Sequence, residues 1–249
     1  MAGQSRAAIW GMRVGVLALI LLVLAIIANR YELVVFRTAI LGIAIAGAIG
    51  IVAVIVSLIG LVRTLGGKKT GAGLAIAGLV IGLIAATPFT TSFLKGRSVP
   101  PIHDITTDLA NPPQFVAVVP LRVGSPNPLD RAAPADLAAL QAKAYPDLAP
   151  LSLQEQPGKV FDAAREVAHE MGWDIVAATS ETGLIEATAT TSLLRFKDDV
   201  VIRVAEKDGG AVVDVRSVSR VGMSDLGTNA ARIRTYLAAL KAKLGLAAK

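Results

Sequence analysis

The chain has 249 residues, no cysteine, two histidines and only 4% aromatic residues. Without cysteine it can form no disulfide, no thiolate metal site and no lipoprotein anchor, and it suits either redox compartment. Two histidines leave no HExxH and no paired-His metal spacing, and no Ser-His-Asp or Cys-His nucleophile can be assembled without G-x-S-x-G or cysteine. The sequence therefore calls for no metal and no cofactor. A basic domain is also missing, despite the formal net charge of +6. From Lys95 onward 18 Lys+Arg face 18 Asp+Glu, whereas the first 94 residues hold seven basic residues and one acid, Glu32. No nucleic-acid partner is expected, because the excess sits where it reports membrane orientation.

Apolar residues are abundant, at 53% of the chain. Val14–Ala28 is an unbroken apolar run that becomes a span over about residues 9–28 if Arg13 snorkels. A cleaved signal peptide is the competing reading, but cleavage after Ala28 would put Ile26 at −3, where a small residue is needed. Thr38–Val62 and Ala72–Leu94 are two further spans, with Pro88 ending or kinking the third. Arg63, Lys68 and Lys69 fill the second loop without an acid, and the N-terminus adds Arg6 and Arg13. Positive loops stay in the cytoplasm, so the N-terminus is expected inside. Three crossings then place residues 97–249 in the periplasm, with 1–96 as an anchor in the bacterial inner membrane. The spans contain no deep charged residue, which argues against a transport path. Gly42, Ala46 and Gly50, with Gly78 and Gly82, form small-residue stripes. These suit a protein partner or homo-oligomer in the bilayer, and equally the mutual packing of the three spans.

After the spans, a proline-rich arm leads to Phe115–Val119, which reads as a short strand, and to a long loop with a helical turn in Ala135–Ala144. Val160, Phe161, Ala164, Val167, Ala168 and Met171 recur at helical spacing between Pro157 and Gly172. Strand patterns follow at Trp173–Thr179, Leu184–Thr191, Val200–Ala205 and Ala211–Val221, the last two joined by the hairpin signal EKDGG. A final helix over about Thr228–Leu244 would bury Ile233, Tyr236, Leu237, Leu240 and Leu244. The order α-β-β-β-β-α predicts an α+β fold: a two-layer domain with an antiparallel sheet and both helices on one face. The other face carries Glu186, Thr188, Thr190, Arg203, Asp214, Arg216 and Arg220, and reads as a wet surface of cross-strand ion pairs or as a bed for a ligand.

The run RVGMSDLGTNAARIR, Arg220–Arg234, concentrates special residues between a strand and a helix. It is no Walker loop, since Thr228 follows Gly227 without the phosphate-binding lysine. Its functional reading is a ligand- or partner-binding site at a helix start, drawing on Arg220, Ser224, Asp225, Asn229 and Arg232. Arg232 and Arg234 lie about 200° apart on a helix, so only one can share a ligand with Arg220. The structural reading is that Thr228 or Asn229 caps the helix while Ser224 and Asp225 bond the loop. His103, Asp104 and Asp108 form the one His/carboxylate cluster outside a helix face; they suit a polar hinge, or a metal-dependent or hydrolytic enzyme.

The segments PPIHDITTDLANPPQF, YPDLAPL, IEATATTSLLRFKDDVVIRV and VDVRSVSRVGMSDLGTNAARIRTYLAAL resemble the DUF1499 family over about His103–Leu240. The chain is similar to its membrane-anchored form; the cysteine-containing opening of short soluble members is missing, and Met223 stands where a basic residue is frequent. The resemblance implies a periplasmic or lumenal domain of no assigned activity. Together these features predict a non-enzymatic interaction domain, an accessory subunit of a membrane complex, carried on a lipid-embedded anchor.

Overall fold

The computed structural model describes residues 3–67, 69–132 and 134–246, so Lys68 of the second loop lies outside the described residues. The chain divides into two compact units: Met1–Lys95 with Leu193–Arg195, and Gly96–Ser192 with Phe196–Lys249.

The first unit is built from α1 (Arg6–Arg30), α2 (Phe36–Leu65) and all but the last turn of α3 (Ala72–Ser98). All three are long and apolar enough to cross a membrane. At 25, 30 and 27 residues they run about 38–45 Å, against roughly 30 Å of hydrocarbon. Their polarity is that of a membrane bundle: Leu17, Leu24, Leu41, Ile55 and Leu83 point outward, while Ala18, Ala46, Ala53, Ala75 and Ala85 are buried. Pro88 does not end α3, which runs on to Ser98.

The small-residue stripes face the other helices of the same chain. A Cβ on Gly50 would stand 2.8 Å from the Gly82 carbonyl, and one on Gly78 would stand 2.6 Å from the Met12 amide. Gly42 abuts Ala25, Ala46 is fully buried, and Gly82 returns the contact with Gly50. Gly11 and Gly78 close on the buried Ser57 hydroxyl, which has no hydrogen-bond partner.

The second unit centres on a six-stranded antiparallel sheet. Its strands are β1 (Asp104–Thr106), β2 (Leu151–Leu153), β3 (Asp174–Thr179), β4 (Leu184–Thr190), β5 (Lys197–Lys207) and β6 (Gly210–Ser219). The order is β1-β6-β5-β4-β3, and β2 shares the outer edge of β6 with β1. β1 pairs with Arg216–Val218 and β2 with Ala211–Val213, so two short strands cover one long edge. The sequence pattern marks neither as a strand: β1 lies in the proline-rich arm and β2 beyond the long loop. α4 (Leu137–Ala144) extends the edge further: the Gln141 side chain exchanges two hydrogen bonds with the Thr106 backbone, as a strand neighbour would.

α5 (Pro157–Glu170) and α6 (Thr228–Lys243) cover one face, as predicted. Val160, Phe161, Ala164, Val167, Ile233, Tyr236 and Leu240 meet Ile185, Ala187, Val200, Ile202, Val213 and Val215 in one apolar core. Met171, Leu237 and Leu244 are only partly buried at its rim.

The opposite face is not wet. Residues 107–131 lie over it as an irregular layer, where Phe115, Val118 and Leu129 meet Val201, Val218, Val176 and Leu184. The expected strand at Phe115–Val119 is absent because three successive amides, of Val116, Ala117 and Val118, converge on the Glu186 carboxylate at 2.8–3.0 Å. An extended strand would send alternate amides to opposite sides.

Candidate functional site

The α6 N-terminus is closed by its own chain. Gly222 (φ 91), Leu226 (φ 53) and Gly227 (φ 78) take left-handed backbone and fold the loop back. Asp225 thereby reaches beneath the helix: its carboxylate accepts the amides of Gly227 and Asn229, both at 2.8 Å. Gly227, rather than Thr228 or Asn229, is the N-cap residue, and Asp225 two positions before it supplies the carboxyl that takes these donors. Burial raises the Asp225 carboxyl above the usual carboxylate range, against the pull of the two amides. Ser224 bonds the Leu226 amide and the Pro100 carbonyl.

Asn229 and Arg232 belong to a polar knot under the helix layer. Asn229 accepts from the Ser217 hydroxyl at 2.7 Å and donates to Ser219 Oγ and the His103 carbonyl at 3.0 Å. Arg232 binds Asn229, Ser217 and, at 2.5 Å, Asp198. Arg220 is on the other side of the sheet. Its guanidinium holds Asp199 through two bonds of 3.0 and 2.8 Å, and reaches Thr188 and the Leu121 carbonyl. Adjacent Asp198 and Asp199 point to opposite faces of β5, so Arg220 at the end of β6 and Arg232 in α6 meet different carboxylates on different faces. The five residues do not converge on one ligand-sized space.

The covered face is a lattice of guanidinium–carboxylate pairs. Asp199, fully buried, also takes Arg122 at 2.5 Å. Arg216, fully buried as well, holds Asp104 at 3.1 and 2.7 Å, donates to the carbonyls of Pro113 and Leu129, and lies 5.2 Å from the Phe115 ring. Arg131 completes Asp104, while Arg203 bridges Asp214 at 2.7 Å and Asp108 at 3.0 Å. Burial lowers the Arg131 pKa against the pull of Asp104.

His103, Asp104 and Asp108 are therefore separately engaged. The His103 ring meets the Met223 carbonyl at 3.3 Å, and the two carboxylates belong to different arginines. Among the described residues no group of three His, Asp or Glu side chains could hold a metal ion. His169 stays on a solvated helix face whose Glu166 and Glu170 pair with Lys243.

Arg122, Arg131, Asp198 and Asp199 escaped the sequence reading. The signal was KDDVV at the start of β5: neighbouring acids on a strand need a cation on each face.

The chain belongs to a family described as protein of unknown function (DUF1499), whose match spans residues 104–240. This is the α+β domain from β1 to the last turns of α6. No curated protein matches the chain.

Proposed function

We propose that the chain is a non-enzymatic membrane protein that presents its α+β domain as an interaction module in the bacterial periplasm, as an accessory subunit of a membrane complex. The supporting observation is that Arg220, Ser224, Asp225, Asn229, Arg232, Asp104 and Asp108 are all bound to other groups of the same domain. A reacting centre needs groups turned toward a substrate; here the charged groups fasten the domain, which leaves its surface to do the work.

Purification in mild detergent through an affinity tag tests this reading. A stoichiometric partner is expected, and a strictly monomeric, partner-free protein would count against the subunit role. The positive loops favour a cytoplasmic N-terminus, with the domain across the membrane. The cysteine-free chain makes that simple to check. A membrane-impermeant maleimide should label Lys207→Cys in intact cells, and Lys69→Cys only after permeabilisation.

A further inference from the structure

We propose that one edge of the α+β domain, formed by Val119–Val123 and the Met223 loop, docks on a lipid surface, the headgroup layer of the bilayer that α1–α3 are apolar enough to cross. This rests on the membrane reading above. Val119, Leu121, Val123 and Met223 are 50%, 52%, 90% and 82% exposed. Scattered exposed aliphatics are ordinary. These four, however, lie on two segments fastened together: Arg220 donates to the Leu121 carbonyl at 3.0 Å, and Asn127 donates to the carbonyls of Gly222 at 2.8 Å and Ser219 at 3.0 Å. Neither 119–124 nor 219–224 contains an acid. The exposed Lys197 stands beside them, its carbonyl accepting from the Arg220 amide at 3.0 Å.

The chain's path names the occupant. The domain unit begins at Gly96, two residues past Leu94, the last apolar residue of α3. The arm that follows is bonded to the same loop: Asp225 donates its amide to the Ile102 carbonyl at 3.1 Å, Ser224 meets the Pro100 carbonyl, and His103 meets the Met223 carbonyl. From Ser98 to Ile102 the chain spans about 14 Å at full stretch, a tether short enough for this loop to reach a bilayer crossed by α3. The β5–β6 hairpin at the far end, about 30 Å away along the strands, carries Glu206, Lys207 and Asp208 instead. The edge also offers aliphatics, and Leu and Val are under-represented in protein hot spots but sit readily at the acyl boundary of a bilayer.

Single bimane labels on the full chain at Val123→Cys, Met223→Cys and Lys207→Cys, all exposed positions, test the proposal. The protein is reconstituted in phosphatidylethanolamine–phosphatidylglycerol vesicles containing headgroup-nitroxide lipid. Labels at 123 and 223 should lose severalfold more emission to the nitroxide than the label at 207, and should resist aqueous iodide. Equal quenching at the three positions overturns the proposal. Shielding from iodide without nitroxide quenching also overturns it, and assigns the edge to a protein partner or second copy. Failure to float with the vesicles overturns the membrane reading itself.

Discussion

Arg216 is the largest fully buried side chain in the domain, and replacing it with methionine tests whether the lattice is architecture. Arg216→Met keeps most of the volume but removes the two bonds to Asp104 and the donors to the Pro113 and Leu129 carbonyls. Breaking one side of a buried ion pair costs about 3–5 kcal/mol. Arg131 still holds Asp104, which argues for the low end, about 3 kcal/mol, and the stranded carbonyls add about 1 kcal/mol. A total near 4 kcal/mol is a large part of the roughly 5–15 kcal/mol that keeps a domain folded. The melting temperature should fall by about 8–16 °C. Trp173, buried and 5.2 Å from the Tyr236 ring, reports unfolding if Trp10 is first changed to Phe. Urea titration of the full chain in detergent micelles, read by Trp173 emission, gives the change in midpoint. Adding Asp104→Asn should deepen the loss, because it takes from Arg131 the carboxylate that it still holds. A midpoint change worth less than about 0.5 kcal/mol would refute the architectural reading and free Arg216 for a ligand.

Asp225→Asn leaves one acceptor for the two amides that the carboxylate serves, and should cost about 1–3 kcal/mol in the same titration. The folded carboxyl sits above its ordinary 3.8, so it binds its proton more tightly folded than unfolded. Its contribution to stability is therefore full below 3.8 and declines as pH rises through the raised value; the asparagine variant should lose that slope, and an unchanged slope would acquit Asp225. Tyr145→Phe removes a buried hydroxyl that has no hydrogen-bond partner, and should be neutral or stabilising by up to about 1 kcal/mol; a clear loss would show that the hydroxyl is bonded. In the first unit, Gly78→Leu should disrupt the bundle, seen as early elution and aggregation in detergent, whereas Gly73→Leu should be silent because nothing stands within 4 Å of its Cβ direction.

The spans and the α-β-β-β-β-α core were legible because each rests on a periodicity: apolar runs, a 3.6-residue helix stripe or a two-residue alternation. Asp104–Thr106 and Leu151–Leu153 were not, since three residues carry no period and their strand character comes from the open edge of β6. Phe115–Val119 failed for the opposite reason. Its apolar residues look like a strand, but Glu186, about 70 positions later, gathers their amides. The candidate site was grouped by nearness in sequence, which ignores the alternation of β6. Ser219 faces the helices and Arg220 the covering loop, so a one-residue step moves a side chain to the far side of the sheet.

The same alternation explains why a charge-rich face can be buried at all. Residues 107–131 are too irregular to satisfy their backbone by a ladder, and too long to be held by Phe115, Val118 and Leu129 alone. Arg216 takes the Pro113 and Leu129 carbonyls, Arg220 takes that of Leu121, and Glu186 takes three amides. The sheet thus supplies the hydrogen bonds that the loop cannot make with itself, and each guanidinium is neutralised by an aspartate beside it. An apolar covering would leave those carbonyls and amides unpaired, so the lattice fixes one arrangement of the loop where hydrophobic burial would allow many. Fixing the loop also fixes Val119, Leu121 and Val123 at the rim next to Met223. In the docking proposed above, the buried charges act at one remove, by keeping that exposed apolar edge in place.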